Sequence, residues 1–440
     1  MCSNTRSTAA QLEPHVKCMA GIFTMAIVMR LVAFWALPEP HMPYNAIFAY
    51  IKGAKILLEG QGFADVSFPV YTPPLYSISI AVVSALFRDG ILAIKLLQIV
   101  VDSFTAVLIY VLIKKIFDNP TGLISGIMWA LYPFTVYSTL YIGTESFFTF
   151  SIALFVLLIV CGIRSDNWYL YCAAGLVLGM GTLIRGTTQF IPLVLPFALF
   201  FYRNNCMNWM RNYTLTLICF LIVILPWGIR NYIVLHEVIP VGANSTVILY
   251  GTSEPLLTIG TRQAELHRVF EMATAKGIIA PGEDRGPAER DGFLAKVAIE
   301  NYRERLKADP LGLAGFMVQK FFRLWYSTES GNNHGITLTV NAGVYALSLI
   351  GINVILKKKN KMAIMLMGIV GYFVVIHWLT LPLFRYMLPV MPYVLTLAAV
   401  GIVFVIEKTW PETHERLMGM VHLNQNQSVF KAISLSGNYK

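Results

Sequence analysis

Four charged residues stand where apolar runs begin or end. Glu145 opens one run directly after Thr144, Arg185 and Arg230 close others, and Arg385 precedes another with Tyr386 beside it. A carboxylate in such a place can take a proton from a nucleophile, and a planar guanidinium can hold a phosphate through two parallel N–H bonds. Two further carboxylates belong to the same inventory: Glu39 between Pro38 and Pro40, and Asp65 shortly after the Gly62-Phe63 pair. Each residue also has a plainer role. Thr144 as N-cap with an acid in the first turn stabilises a helix by about 0.5–2 kcal/mol and does nothing else. Arginines at span ends reach for lipid head groups, and Glu39 can be a solvated acid at a helix end. His41 adds a possible metal ligand near Glu39, but one histidine and scattered acids make no ligand set. A divalent metal is possible and has no spacing to support it.

These residues act together only if the elements carrying them bring them to one face. The chain is 56% hydrophobic and 13% charged, with repeated apolar runs of around twenty residues, which is the composition of an all-α integral membrane protein. Ten spans fit the hydropathy: 19 to 37, 91 to 113, 121 to 141, 146 to 163, 168 to 184, 187 to 202, 213 to 229, 336 to 356, 362 to 381 and 388 to 406. The first follows a polar head with Arg6 and Lys17, contains Arg30 and shows no small-residue cleavage site, so it reads as a retained helix.

Orientation follows from charge. Residues 230 to 335 hold 12 Lys/Arg and 12 Asp/Glu, so the net +10 (22 minus 12) lies wholly elsewhere. Lys114-Lys115, Arg164, Arg203 with Arg211, and Lys357-Lys358-Lys359 with Lys361 fall in alternate gaps, as cytoplasm-facing loops do. Both termini are then cytoplasmic and the neutral block faces outward, beyond ATP and nucleotide sugars. The basic residues are spread over short loops without forming one face, which argues against nucleic acid. The six cysteines fall in spans or on the cytoplasmic side, so no disulfide framework is expected.

The chain divides into a membrane module (1 to 229, with a first outward loop at 38 to 90), an outward capping block (230 to 335), C-terminal spans (336 to 406) and a cytoplasmic tail (407 to 440). In the first loop, Ile47, Ile51, Ala54 and Leu58 recur at helical spacing, predicting a surface helix ended by Gly60 and Gly62. The stretch 75 to 87 is too short to cross a bilayer. In the capping block, 289 to 308 reads as a charged helix ending before Pro310, and the aromatic and basic residues from Phe316 to Tyr326 suit an interfacial helix. Arg30 and Asp102, at similar depths in the first two spans, are predicted to pair, because intramembrane charges are costly alone. His377 reads as a packed core histidine or as a residue lining a cavity. Asn244-Ser245-Thr246 fits a glycosylation sequon.

The order of several short motifs resembles the GT-C superfamily of polyprenyl-phosphate-sugar glycosyltransferases, near the protein O-mannosyltransferases and the lipid A aminoarabinose transferase. They are Leu57-Leu58-Glu59-Gly60-Gln61-Gly62-Phe63, Thr72-Pro73-Pro74-Leu75-Tyr76, Ala130-Leu131-Tyr132-Pro133, Thr144-Glu145, Thr182-Leu183-Ile184-Arg185, Pro226-Trp227-Gly228-Ile229-Arg230-Asn231-Tyr232 and Phe384-Arg385-Tyr386-Met387-Leu388-Pro389. The resemblance implies an inverting transfer of one sugar from a polyprenyl-phosphate donor to a glycan, lipid or protein acceptor at the outer face, with membrane lipids as surroundings. Displacing a phosphate from an anomeric carbon needs an acceptor poised by a carboxylate and positive charge on the leaving phosphate. On this reading Glu39 or Asp65 activates the acceptor and Glu145 assists. Arg385 holds the phosphate with Arg185 or Arg230, and Tyr386, Tyr50 and Tyr71 contact substrate. The chain departs from the family at two points. Where members carry an Asp about four residues before the Tyr matching Tyr50, it has Asn45-Ala46, and Thr72 stands where an Arg or Lys often precedes the Pro-Pro pair. The first departure leaves a competing reading open, a lipid-linked-sugar flippase or binding protein of the same fold. An ion-coupled transporter fits less well, since the spans lack paired acids beyond Asp102.

Overall fold

The computed structural model describes residues 3–38, 44–63, 68, 70, 72–200, 206–242, 287–328 and 333–412, and every regular element among them is helical. In chain order these are α1 (Ser3–Ala36), α2 (Tyr44–Leu58), α3 (Leu75–Leu86), α4 (Gly90–Ile116), α5 (Asn119–Leu131), α6 (Pro133–Ser138), α7 (Glu145–Ser165) and α8 (Trp168–Ile184). A 3-10 turn (Gly186–Phe190) leads into α9 (Ile191–Phe200) and α10 (Cys206–Leu235). Then come α11 (Pro287–Ala308), α12 (Pro310–Arg323), α13 (His334–Lys358), α14 (Lys361–Leu379), a second 3-10 turn (Phe384–Val390) and α15 (Met391–Thr409).

Among the described residues, seven helices are long and apolar enough to cross a membrane, on length and composition: His15–Ala36, Gly90–Ile116, Glu145–Ser165, Asn208–Leu235, His334–Lys358, Lys361–Leu379 and Phe384–Thr409. The protein is an integral membrane protein. The other three expected spans are shorter. The run 121 to 141 splits into α5 and α6 at Pro133, because a proline ring forces the preceding residue out of helical geometry, and Tyr132 has φ −67° and ψ 114°. The segment 187 to 202 becomes a 3-10 turn followed by a ten-residue helix containing Pro196. Helix α8 keeps its expected bounds at 17 residues, the low end of what spans a bilayer. The tally of ten therefore resolves into seven long apolar helices, the split pair α5 and α6, and two short apolar segments, Trp168–Ile184 and Gly186–Phe200, while Leu75–Leu86 is a short apolar helix as its length predicts.

Helix α4 lies at the centre, packed on α1, α3, α5 and α7, while α8 packs between α7 and α10. The predicted charge pair is formed. Arg30 donates through Nε to Asp102 Oδ2 across 2.7 Å, and its Nη1 donates to the carbonyls of Ala26 and Ala130 at 3.0 Å each. Both side chains are fully enclosed, so every donor turned toward protein needs such a partner. Helices α13 and α15 meet backbone to backbone. A Cβ at Gly351 would strike the carbonyl of Leu397, and one at Gly401 the carbonyl of Leu347, so only glycine permits this crossing.

The expected surface helix is α2. It ends where Gly60 and Gly62 adopt φ of +76° and +67°, and Gln61 N–H bonds back to Ile56 at 3.2 Å. Leu58 lies half exposed at its end, and Ile56 and Leu57 take the inward role instead. The charged helix expected at 289 to 308 is α11. Asp309 then caps α12 by accepting from Gly312 N–H at 2.8 Å. Helix α12 is turned inside out relative to a helix in water. It buries Lys320 and Arg323 and exposes Leu311, Val318 and Phe322, the arrangement of a helix lying against lipid. Lys320 Nζ donates to Tyr302 Oη and to the Leu379 carbonyl at 3.2 Å each, fastening α12 to α11 and to the end of α14.

Candidate active site

Three of the chemistry-bearing residues converge. Glu145 is the first residue of α7, Arg185 caps the C-terminus of α8, and Arg385 sits in the second 3-10 turn. Because α7 and α8 form an antiparallel hairpin, the start of one lies beside the end of the other. Arg385 Nε donates to Glu145 Oε1 across 2.6 Å, and Arg185 Nη1 stands 3.7 Å from the same oxygen. Glu145 is 2% exposed, while the two arginine side chains keep 15% and 16%. Thr144 makes no side-chain cap bond, so the helix-capping account of this Thr-Glu pair does not describe it. The carboxylate is directed at guanidinium groups from two other elements.

Aromatic rings wall the cluster. The Arg185 guanidinium lies 4.7 Å from the Tyr386 ring centroid and 5.9 Å from that of Phe148. Tyr386 in turn stacks on His377 at 5.1 Å and 12°, so His377 is a packed residue directly behind the site. Arg385 lies 5.5 Å from the Tyr141 ring. Two positive charges and one negative leave the trio at +1 (2 minus 1). Glu145 Oε2 is buried with no hydrogen-bond partner among the described residues, as is Arg185 Nη1. Orphaned buried groups of this kind are costly, and active sites are where they collect.

Neighbouring turns hold the three in place. Thr182 and Thr188 join their hydroxyls at 2.8 Å across Arg185, and Tyr372 Oη donates to the Thr187 carbonyl at 2.5 Å. Phe384 N–H bonds to the Ser327 carbonyl at 2.9 Å, tying the Arg385 turn to the segment after α12. A Cβ at Gly143 would run into Glu145 Oε2 and the Tyr141 ring, so a larger residue there would displace the carboxylate.

The remaining candidates divide. Arg230 goes elsewhere: its Nε donates to the Phe63 carbonyl at 2.6 Å and its guanidinium lies 5.0 Å from the Trp227 ring, fastening the end of α2's following loop to α10. Tyr50 packs edge-on against Tyr76 at 5.0 Å. Glu39, His41, Asp65, Tyr71 and the Asn244 sequon lie outside the described residues. Among the described residues no group of three His, Cys, Asp or Glu is gathered for a metal. Gln98, Tyr141 and Gly143 were not anticipated. Gln98 left a trace, a polar residue one helical turn before Asp102 in a mostly apolar span.

Comparison with known proteins sets this geometry in context. Residues 71–229 match the family described as dolichyl-phosphate-mannose-protein mannosyltransferase. The apo oligosaccharyltransferase of Archaeoglobus fulgidus superposes with a TM-score of 0.57 at 10% identity, over 94% of this chain and 54% of that one. The chain has the fold of that oligosaccharyltransferase. The archaeal oligosaccharyltransferase AglB from Archaeoglobus fulgidus, in complex with an inhibitory peptide and a dolichol-phosphate, superposes at 0.52, also with 10% identity and the same coverage of 94% and 54%. ArnT from Cupriavidus metallidurans aligns at a TM-score of 0.39 and 13% identity over 89% of this chain and 79% of its own. The chain thus spans about half the length of the oligosaccharyltransferase it matches. No curated protein matches the chain in sequence. Glu145 and Arg185 fall inside the stretch that matches the mannosyltransferase family, while Arg230 and Arg385 lie beyond it.

Proposed function

We propose that this protein is a membrane glycosyltransferase that moves a sugar from a polyprenyl-phosphate-linked donor to a glycan, lipid or protein acceptor at the outer face of the membrane. The observation that carries the reading is the buried Arg185–Glu145–Arg385 cluster at one end of the bundle. In the reaction, an acceptor oxygen or nitrogen forms a bond to the anomeric carbon as the bond from that carbon to the phosphate oxygen breaks, with inversion. The acceptor's proton passes to a carboxylate, for which Glu39 and Asp65 are the candidates, and the charge gathering on the leaving phosphate is met by Arg385 and Arg185. Glu145 aims both guanidiniums, so that little reorganisation is needed when the charge develops. Arg230, held against Phe63, would shape the first loop beside this site.

The donor class is supported by the matching family's name and by the dolichol-phosphate in the AglB complex. Orientation is supported by charge: Lys115 and Arg164 join at the end of the bundle opposite Glu145, in keeping with a cytoplasmic face there. Both termini would be cytoplasmic, and residues 230 to 335 would cap the active face and select the acceptor.

The test is to incubate purified protein with radiolabelled polyprenyl-phosphate sugar and envelope acceptors. Sugar transfer that is lost in Arg385→Ala and Glu145→Gln supports the assignment. The Asn45-Ala46 departure favours a second reading, a flippase that keeps the fold, and donor translocation without release of sugar would establish that instead.

A further inference from the structure

The end of α6 and the start of α7 are joined by a short turn, Leu140 to Thr144, that presents Glu145 to its two arginines. This turn lacks a cap bond from Thr144, and its Leu140 and Ile142 are buried in apolar clusters. One buried polar side chain from another helix bonds its backbone. Gln98 of α4, 0% exposed, donates through Nε2 to the Tyr141 carbonyl at 2.8 Å and accepts through Oε1 from Gly143 N–H at 3.3 Å. Its Oε1 also accepts from Tyr76 Oη of α3. An amide is suited to this task because it carries a donor and an acceptor on one rigid plane, and the turn offers one of each two residues apart. The Tyr141 carbonyl, which can only accept, and the Gly143 N–H, which can only donate, fix which end of the amide faces which partner. Tyr76 is itself fully buried, between the ring of Tyr50 on α2 at 5.0 Å and that of Phe147 on α7 at 5.9 Å. Helices α2 and α3, the amide of α4 and the carboxylate of α7 therefore form one packed series.

We infer that Gln98 is a positioning residue for Glu145, a role that rests on the proposed transfer reaction only for its kinetic consequence. Gln98 touches neither arginine nor any reacting group. It sets the turn, and the turn sets where the Glu145 carboxylate meets Arg185 and Arg385. Loss of the amide frees the turn, lets the carboxylate swing from the arginines and leaves the hydrophobic packing of α4 in place. Tyr76 supports this by holding the amide in register.

The experiment uses full-length protein in detergent and reads two quantities. The first is modification of Glu145 by the apolar reagent dicyclohexylcarbodiimide, followed by mass spectrometry of the peptide that contains it. The second is the kinetics of sugar transfer. Gln98→Met, close in size and unable to make the bonds, is expected to raise Glu145 labelling by about threefold or more through local opening of the turn. It should lower kcat by about tenfold with KM for the donor unchanged, and lower the melting temperature by several degrees because three buried partners lose the amide. Labelling equal to wild type overturns the inference, and so does raised labelling with unchanged kcat in an active enzyme. If Gln98→Met does not fold, Tyr76→Phe carries the test, with labelling about doubled expected and wild-type labelling overturning the idea. A wild-type protein that transfers no sugar removes the functional reading alone, and the labelling then decides the positioning by itself.

Discussion

Arg385 Nε and Glu145 Oε1 meet at 2.6 Å although 240 positions separate the two residues along the chain. The contact joins the start of α7 to the turn before α15, and Arg185 closes on the same oxygen from a third element at 3.7 Å. Such a cluster holds its shape only while each partner is present, which makes it open to test one residue at a time.

Removing one partner of a buried ion pair leaves an uncompensated charge and costs about 3–5 kcal/mol. Arg385→Ala is therefore expected to lower the melting temperature more than Arg185→Ala, since only Arg385 makes a short hydrogen bond to the carboxylate. Arg385→Lys replaces a planar fork by a point charge and should lose most of the transfer activity, roughly a hundredfold. Thermal unfolding in detergent and initial rates with labelled donor measure both. Equal melting temperatures for the two alanine variants would contradict the geometry.

Arg30 and Asp102 are expected to matter for stability and not for the reaction. Arg30→Met alone or Asp102→Leu alone should each destabilise by about 3–5 kcal/mol, while the double variant recovers most of the loss because no charge is left buried. The same unfolding assay reads the cycle. An additive double variant would show that the two side chains do not act as a pair.

Lys320 predicts a pH dependence. Burial, and then the nearby Arg305 charge, push its pKa down from 10.5 to about 7. Between those values the unfolded chain binds a proton that the folded protein does not, so stability rises with pH across that window and the gain is absent below it. The docking of α11 and α12 onto α14 should tighten from pH 7 upward, and Lys320→Met should flatten the profile. Protease susceptibility of α11 followed against pH checks the sign. Tighter docking toward lower pH would refute it.

Gly351→Ala is expected to disrupt the α13–α15 crossing, since the added Cβ meets the Leu397 carbonyl and backbone cannot step aside as a side chain can. Overpacking of this kind costs about 1–3 kcal/mol. Gly368→Ala, where a Cβ meets nothing within 4 Å, is the matched control and should leave the melting temperature unchanged.

Much of the architecture was open to reading from residue order. Apolar run length marks helices wherever lipid forbids unsatisfied backbone, which gives the bounds of α8, while left-handed glycine and proline give the stops at Gly60, Gly62 and Pro310. Runs broken by proline did not, because hydropathy averages over Pro133 and Pro196 while backbone geometry does not. The pairing of Arg30 with Asp102 was legible because isolated charges in hydrocarbon have few acceptable partners.

The candidate site divides along the same line. Glu145, Arg185 and Arg385 could be named from the sequence as groups of the right chemistry at span ends, and Arg230 fitted that description equally well. Only the tertiary structure separates them, carrying two of the arginines to Glu145 and the third to Phe63. The reason is that hydropathy records how deep a residue lies in the membrane and says nothing of its direction around the helix or of which helix stands beside it. Those two facts come from packing, through contacts such as the Gly351 and Gly401 crossing and the Gln98 bonds to the Tyr141–Gly143 turn. By itself the sequence determined a membrane-embedded helical protein with charged chemistry at the ends of its spans; packing alone decided which of those charges meet.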